Sequence, residues 1–341
     1  MTKLEDKAHP VVVITGASAG VGRATVREFA KHGAYIGLLA RGQDGLQAAQ
    51  REVEAAGGKA LAIPTDVSDP DQVEAAAEQV ESGLGPIDVW VNDAMVSVFS
   101  PVKKMKAEEY RRVTEVTYLG YVYGTLSALK RMLPRDEGVI IQVGSALAYR
   151  GIPLQSAYCA SKHAIQGFMD SLRAELLHDH SNVQVSMVQL PAMNTPQFDW
   201  VKTRLPRKPQ PVPPIFEPEV AARAIFYLAY HPRREMFVAW PTVKTIIGNK
   251  IAPGYGDHVL ANMGYDAQQY DGPVDPNRQN NLWEPVPGDH GAHGDFTGRA
   301  KSYSLQNWAN IHRKQVAMGL AGLAGFAFSA AFSIIRGKHS S

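Results

Sequence analysis

Tyr158-Cys159-Ala160-Ser161-Lys162 holds a phenol and an ammonium four residues apart, so a helix would put both on one face. A phenol titrates near pH 10 and is a poor proton donor or acceptor near neutrality. A neighbouring cation favours the phenolate and lowers that value, which suits the phenol to proton transfer at a carbonyl or carbinol oxygen. Ser145 follows the apolar run 139–144, and its hydroxyl could hydrogen-bond the same oxygen. A second set lies near the N-terminus, where Val11–Thr15 leads into Gly16-Ala17-Ser18-Ala19-Gly20-Val21-Gly22. Gly16 permits a tight turn, while Gly20 and Gly22 let backbone approach a phosphate and let helix pack on strand. A pyrophosphate would then meet the free N–H groups of a helix N-terminus. The next apolar run ends Leu38-Leu39-Ala40-Arg41. Ala40 offers no acid for ribose hydroxyls, whereas the Arg41 guanidinium fits a 2′-phosphate, so NADP(H) is favoured over NAD(H).

The elements that must position these residues are short apolar runs at Val11–Thr15, Tyr35–Ala40, 59–64, 88–92, 138–144 and 183–189. They are mostly continuous in Val and Ile rather than alternating, as strands buried on both faces are. Helical patterns fall between them at 21–32, 43–57, 69–82, 107–133 and 157–179. This alternation predicts an α/β fold, a Rossmann-like doubly wound parallel sheet in a single domain over 8–265. Ser145 then sits at the carboxyl edge, where such sheets bind ligands. Beyond Pro191, residues 205–214 contain five prolines and cannot be a regular helix or a central strand. A helix is expected at Pro218–Tyr230 and a short strand at 235–240. Residues 266–302, rich in Gly, Pro, Asn and Asp, read as a loop-rich connector without structure of its own. No internal repeat is present.

Lys+Arg exceed Asp+Glu by only 35 − 33 = 2, so no basic excess points to nucleic acid. The one cysteine, Cys159, excludes an internal disulfide framework and suits a reducing compartment. The opening MTKLEDKAHP lacks a signal-like apolar segment, so a cytoplasmic rather than secreted catalytic domain is expected. No metal is expected: Asp289, His290, His293 and Asp295 fall in a Gly/Pro loop and read as solvated side chains. Pro206-Arg207-Lys208-Pro209 has PxxP spacing, a pattern frequent by chance.

Taken together, Thr15-Gly16 with Gly20 and Gly22, Asp66-Val67, Asn92-Asp93-Ala94, Ser145 and Tyr158 with Lys162 resemble the classical-type short-chain dehydrogenase/reductase superfamily over roughly residues 8–265. The resemblance implies NAD(P)-dependent hydride transfer, with Tyr158 as acid/base and Ser145 orienting the substrate. It implies that Lys162 binds the nicotinamide ribose and lowers the tyrosine pKa. The cofactor positions it implies are Gly16, Ser18, Gly20, Val21, Gly22 and Arg41, Asp66 and Val67 near the adenine, Asn92 and Ala94, Tyr158 and Lys162, and Pro191 and Thr195. It also implies a homodimer or homotetramer through helices 107–133 and 157–179. The sequence departs from the family at three places. Thr117 stands at the position of a catalytic asparagine, keeping a hydroxyl and losing the amide; Met95 ends the Asn92-Asp93-Ala94-Met95 motif; and Leu190-Pro191 replaces a Pro-Gly pair.

Residues 303–341 read as a C-terminal helix. Within it, 316–335 carries no charge over 20 residues, between Arg313-Lys314 and Arg336. That is the length needed to cross a hydrocarbon core of about 30 Å. It is a candidate membrane segment; the alternative, suggested by its glycines and alanines, is a helix docked on protein. The resulting expectation is an NADP(H)-dependent oxidoreductase interconverting a carbonyl and an alcohol, on a lipophilic small molecule if the tail meets a membrane. The rival reading is an NADPH-binding scaffold or redox-sensing partner with weakened chemistry, motivated by Thr117 and Met95. An epimerase or dehydratase on the same framework stays open.

Overall fold

The computed structural model describes residues 3–275 and 277–319. The expected alternation is present: β1 (Val11–Thr15), α1 (Gly20–Ala30), β2 (Tyr35–Ala40), α2 (Gln43–Ala55), β3 (Ala60–Pro64), α3 (Pro70–Leu84) and β4 (Ile87–Asn92). After the short β5 (Val98–Phe99) come α4 (Ala107–Thr114), α5 (Gly120–Met132), β6 (Val139–Ser145), α6 (Ser156–His178) and β7 (Gln184–Leu190). The third part holds α7 (Gln197–Trp200), β8 (Lys202–Thr203), β9 (Arg207–Pro209), α8 (Pro218–Tyr230), β10 (Glu235–Phe237), α9 (Trp240–Ile251), α10 (Pro253–Met263), β11 (Gln269–Pro273) and α11 (Leu305–Ile311).

Seven strands form one parallel sheet in the order β10-β7-β6-β4-β1-β2-β3. The chain leaves β1 in one direction to β2 and β3, then returns to build β4, β6, β7 and β10 on the other side. That reversal opens a crevice at the carboxyl ends of β1 and β4, the place where such sheets bind ligands. Side chains alternate across the sheet. Val12 and Ile14 join the core that includes residues of α1 and α8, while Val11, Val13 and Trp90 join the core that includes residues of α3, α5 and α6. Both faces are therefore buried, as the continuous apolar runs require. Helix starts follow local chemistry: Asp69 accepts hydrogen bonds from the Asp71 and Gln72 amides, and Pro70 occupies the first turn of α3.

The expected helix 107–133 is not continuous. A π-helical turn at Glu115–Leu119 separates α4 from α5. There the Thr117 side chain turns inward to the Val96 backbone, and Gly120 packs so tightly on Val67 that a Cβ would lie 2.7 Å from its side chain. A 3.6-residue pattern does not register one inserted residue of this kind. The proline-rich stretch supplies β9, which pairs antiparallel with β11 of the connector; β5 and β8 form a parallel pair. Residues 266–302 are not without structure of their own: they carry β11 and pack against the body of the domain. In α11, Asn307 and Gln306 donate to the carbonyls of Val220 and Phe237. No helix of the described residues is long and apolar enough to cross a membrane. The candidate segment 316–335 lies outside the described residues from position 320 onward.

Candidate active site

The crevice at the carboxyl edge holds a cavity of about 480 Å³. It runs from the glycine turn and Arg41 at one end to Ser145, Tyr158 and Lys162 at the other. Ser145 is the last residue of β6, and Tyr158 and Lys162 lie in the first two turns of α6. The sheet edge and one helix thus bring three of the four expected catalytic side chains to one wall, without Thr117.

Lys162 is 2% exposed. Its ammonium donates to the Tyr121 hydroxyl at 2.9 Å and to the Val143 carbonyl at 2.7 Å, and lies 5.6 Å from the centre of the Tyr158 ring. Burial lowers its pKa, and the Asp93 carboxylate opposes that fall. Asp93 experiences the reverse: burial raises it, while Lys162 and the Gly22 amide favour its charged form. Burial also raises the Tyr158 phenol, against a hydrogen bond from Ser145 that lowers it. Opposed shifts of neighbouring groups in a cleft are what proton-transfer sites require.

Tyr121 and Asp93 were not among the sequence candidates. Tyr121 is one helical turn beyond Thr117, so the i, i+4 spacing was available as a signal. Thr117 does not meet Lys162. It is fully buried, and its hydroxyl donates to the Val96 carbonyl at 2.9 Å and accepts from the Val96 amide at 3.1 Å. Asn92 is also fully buried and faces away from the cleft. Its amide accepts from the Trp90 indole and donates to Gln142 and Thr125, bracing β4 against β6 and α5.

At the other end, Gly16 adopts φ +74°, and a Cβ there would lie 3.0 Å from the Ala94 amide nitrogen. At Gly22 a Cβ would lie 2.2 Å from the Gly16 carbonyl oxygen, so this glycine serves the helix-on-strand contact and does not line the cavity. Ser18, Gly20, Val21, Ala94, Pro191 and Thr195 do line it, as do Met95, Asp66 and Val67. Asp66 accepts from Arg112 at 2.5 Å and from the Ser68 hydroxyl at 2.8 Å. Arg41 lines the cavity too, and its guanidinium donates to the carbonyls of Trp283 at 2.6 Å and Asn281 at 2.5 Å. Those two bonds use two of its five N–H groups and fix the fork in place. The glycine cradle and the start of α1, with the guanidinium beside them, fit a nicotinamide dinucleotide. Asp289, His290 and His293 do not converge: Asp289 faces Arg23, the His290 ring packs edge-on against Trp200 at 4.6 Å, and His293 reaches Glu219 at 2.9 Å.

Comparison with known proteins agrees with this geometry. A family model described as short chain dehydrogenase matches residues 10–204. The chain is 31% identical over 327 residues to an uncharacterized oxidoreductase, YxnA, of Bacillus subtilis, covering 95% of this chain and 92% of that one. It is 30% identical over 233 residues to a fatty acyl-CoA reductase of Acinetobacter baylyi, covering 67% of this chain and 76% of that one. Among solved structures, an alcohol dehydrogenase from Thermococcus sibiricus complexed with 5-hydroxy-NADP superposes with a TM-score of 0.59 at 26% identity, covering 67% of this chain and 96% of that one. The chain belongs to the short-chain dehydrogenase/reductase family of oxidoreductases.

Proposed function

We propose that this short-chain dehydrogenase/reductase is an NADP(H)-dependent enzyme that interconverts a carbonyl and an alcohol on a lipophilic substrate. The observation that carries the reading is the convergence of Ser145, Tyr158 and Lys162 on one wall of a cavity that begins at the glycine turn. A nicotinamide held in the cavity would supply or accept the hydride. In reduction, Ser145 holds the carbonyl oxygen by a hydrogen bond and Tyr158 donates its proton to that oxygen as negative charge develops. Lys162 places a cation beside the phenol and steadies the phenolate that remains. Tyr121 and the Val143 carbonyl hold the lysine, so its ammonium does not swing into the substrate space. Arg41 selects the phosphorylated cofactor through its unused N–H groups.

The substrate class is inferred from the walls beyond Tyr158, where Leu147, Ile152, Met193, Phe198 and the prolines of the 211–214 loop present apolar surface. A likeness to a fatty acyl-CoA reductase fits the same class. The rival scaffold reading draws on Thr117, whose hydroxyl is consumed by Val96. NADPH oxidation followed with a graded series of aldehydes and ketones separates the two. Turnover that rises with acyl chain length supports the enzyme reading. NADPH binding without turnover on any member favours the scaffold.

A further inference from the structure

We propose that residues 281–296 form a clasp over the adenosine end of the cleft, and that a nicotinamide dinucleotide exchanges only when this clasp lifts. The inference rests on the dinucleotide reading above but not on the preference for NADP(H). Three consecutive carbonyls fasten one end: Asn281 accepts from Arg41 at 2.5 Å, Leu282 from Arg112 at 3.1 Å, and Trp283 from Arg41 at 2.6 Å. Between them the Leu282 side chain is fully buried in the core beside the sheet. From there the chain passes along the outer wall of the cavity, which Pro285, Val286, Gly288 and His290 line together with Arg41 and the glycine turn. A Cβ on Gly42 would stand 3.5 Å from Pro285, and the Gly288 amide donates to Asp44 at 2.8 Å. The Asp289 carboxylate accepts from Arg23 at 3.3 Å. At the far end the Gly291 carbonyl accepts from the Gly20 amide, within the glycine turn, at 3.1 Å.

The segment is thus pinned at both ends and at its middle, yet it has no helix or strand. Leu282 anchors one end and Ala292 and Phe296 the other, and only polar contacts hold the stretch between them, so that stretch can open without disturbing the sheet. A loop of this kind over a ligand gates exchange. It lies beyond residue 204, where the match to the family model ends.

The test uses the full chain, Leu282→Ala and Trp283→Ala, each checked for folding by circular dichroism. Stopped-flow NADPH and NADH fluorescence gives association and dissociation rate constants. Amide hydrogen exchange of 281–296 is measured with and without NADPH in the wild-type protein. Leu282→Ala is expected to raise both rate constants about tenfold or more, as loss of a core anchor favours the open state. Trp283→Ala moves both in the same direction by less, and NADPH slows exchange across 281–296 in the wild type. Unchanged rate constants in folded variants overturn the clasp. So does a rise in dissociation alone, which marks a lost contact and not a gate. Exchange that is unaltered or faster on NADPH binding also overturns it, since a segment displaced by the cofactor is a plug. If Leu282→Ala does not fold, Trp283→Ala and the wild-type exchange decide. Failure of the wild type to bind either dinucleotide removes the reading on which the clasp rests, and the clasp with it.

Discussion

The two ends of the cleft are held in different ways. At the inner end, Ser145, Tyr158 and Lys162 come from one strand terminus and one helix, and their partners Tyr121 and Val143 belong to the same sheet-and-helix body. At the outer end, Arg41 is fixed by carbonyls about 240 residues further along the chain, in a segment without regular structure. The inner end is rigid because the core that builds it is buried on both faces. The outer end is set by tertiary contacts that can be broken singly. On the proposed function, proton transfer belongs to the first and cofactor selection and retention to the second.

That division can be broken by substitution. The largest effect is expected from Tyr158→Phe, which removes the transferable proton: kcat should fall about 10²–10⁴-fold, the range for loss of a general acid, with NADPH affinity nearly unchanged. Arg41→Ala should act at the other end. NADPH binding should weaken about tenfold to a hundredfold, the worth of a charged hydrogen bond, while NADH binding and kcat at saturating cofactor stay close to wild type. A titration in which both cofactors weaken equally would show that Arg41 holds the loop without reading the phosphate.

A smaller effect sharpens the electrostatics of the inner end. The Asp93 carboxylate holds the Lys162 ammonium up against the burial that lowers it. Asp93→Asn removes that support, so Lys162 loses its proton at lower pH. The alkaline limb of kcat/KM should then move to lower pH; a profile that stays in place would mean that Lys162 is not the titrating group. The smallest effect lies behind the outer end, where Arg23 pairs with both Glu52 and Asp289 of the 281–296 segment. Burial pushes the Glu52 carboxyl up, but hydrogen bonds from Arg27 and Arg23 outweigh it and hold the pKa at about 2, against an ordinary 4.5. Because the folded pKa is depressed, this stabilisation is present above pH 4.5 and is lost as pH falls toward 2. Thermal midpoints of wild type and Glu52→Gln should therefore differ at pH 6 and converge near pH 2, by a modest amount because the pair is partly screened by solvent.

Legibility in the sequence follows the same boundary. The strands appear as continuous Val/Ile runs, and Gly16, Gly20, Tyr158 and Lys162 appear as short spacings, because each depends on neighbours within one or two turns. Tyr121 was readable only as a helical neighbour of Thr117, and the π turn between them disturbs that spacing. Asp93 gave no sign of its role, since the charge that perturbs it lies on α6. The 281–296 segment has neither periodicity nor motif. Its contacts with Arg41, Asp44 and Arg23 exist only once the chain has folded back over the sheet edge.

The central claim, that the inner end performs proton transfer and does not merely shelter a cofactor, is tested most directly on a single preparation of Tyr158→Phe. NADPH titration by fluorescence and single-turnover NADPH oxidation with the best aldehyde of the series are measured side by side against wild type. The account predicts binding within about twofold of wild type and a chemical step slower by about 10² or more. Oxidation at the wild-type rate in a variant that binds NADPH normally would contradict it.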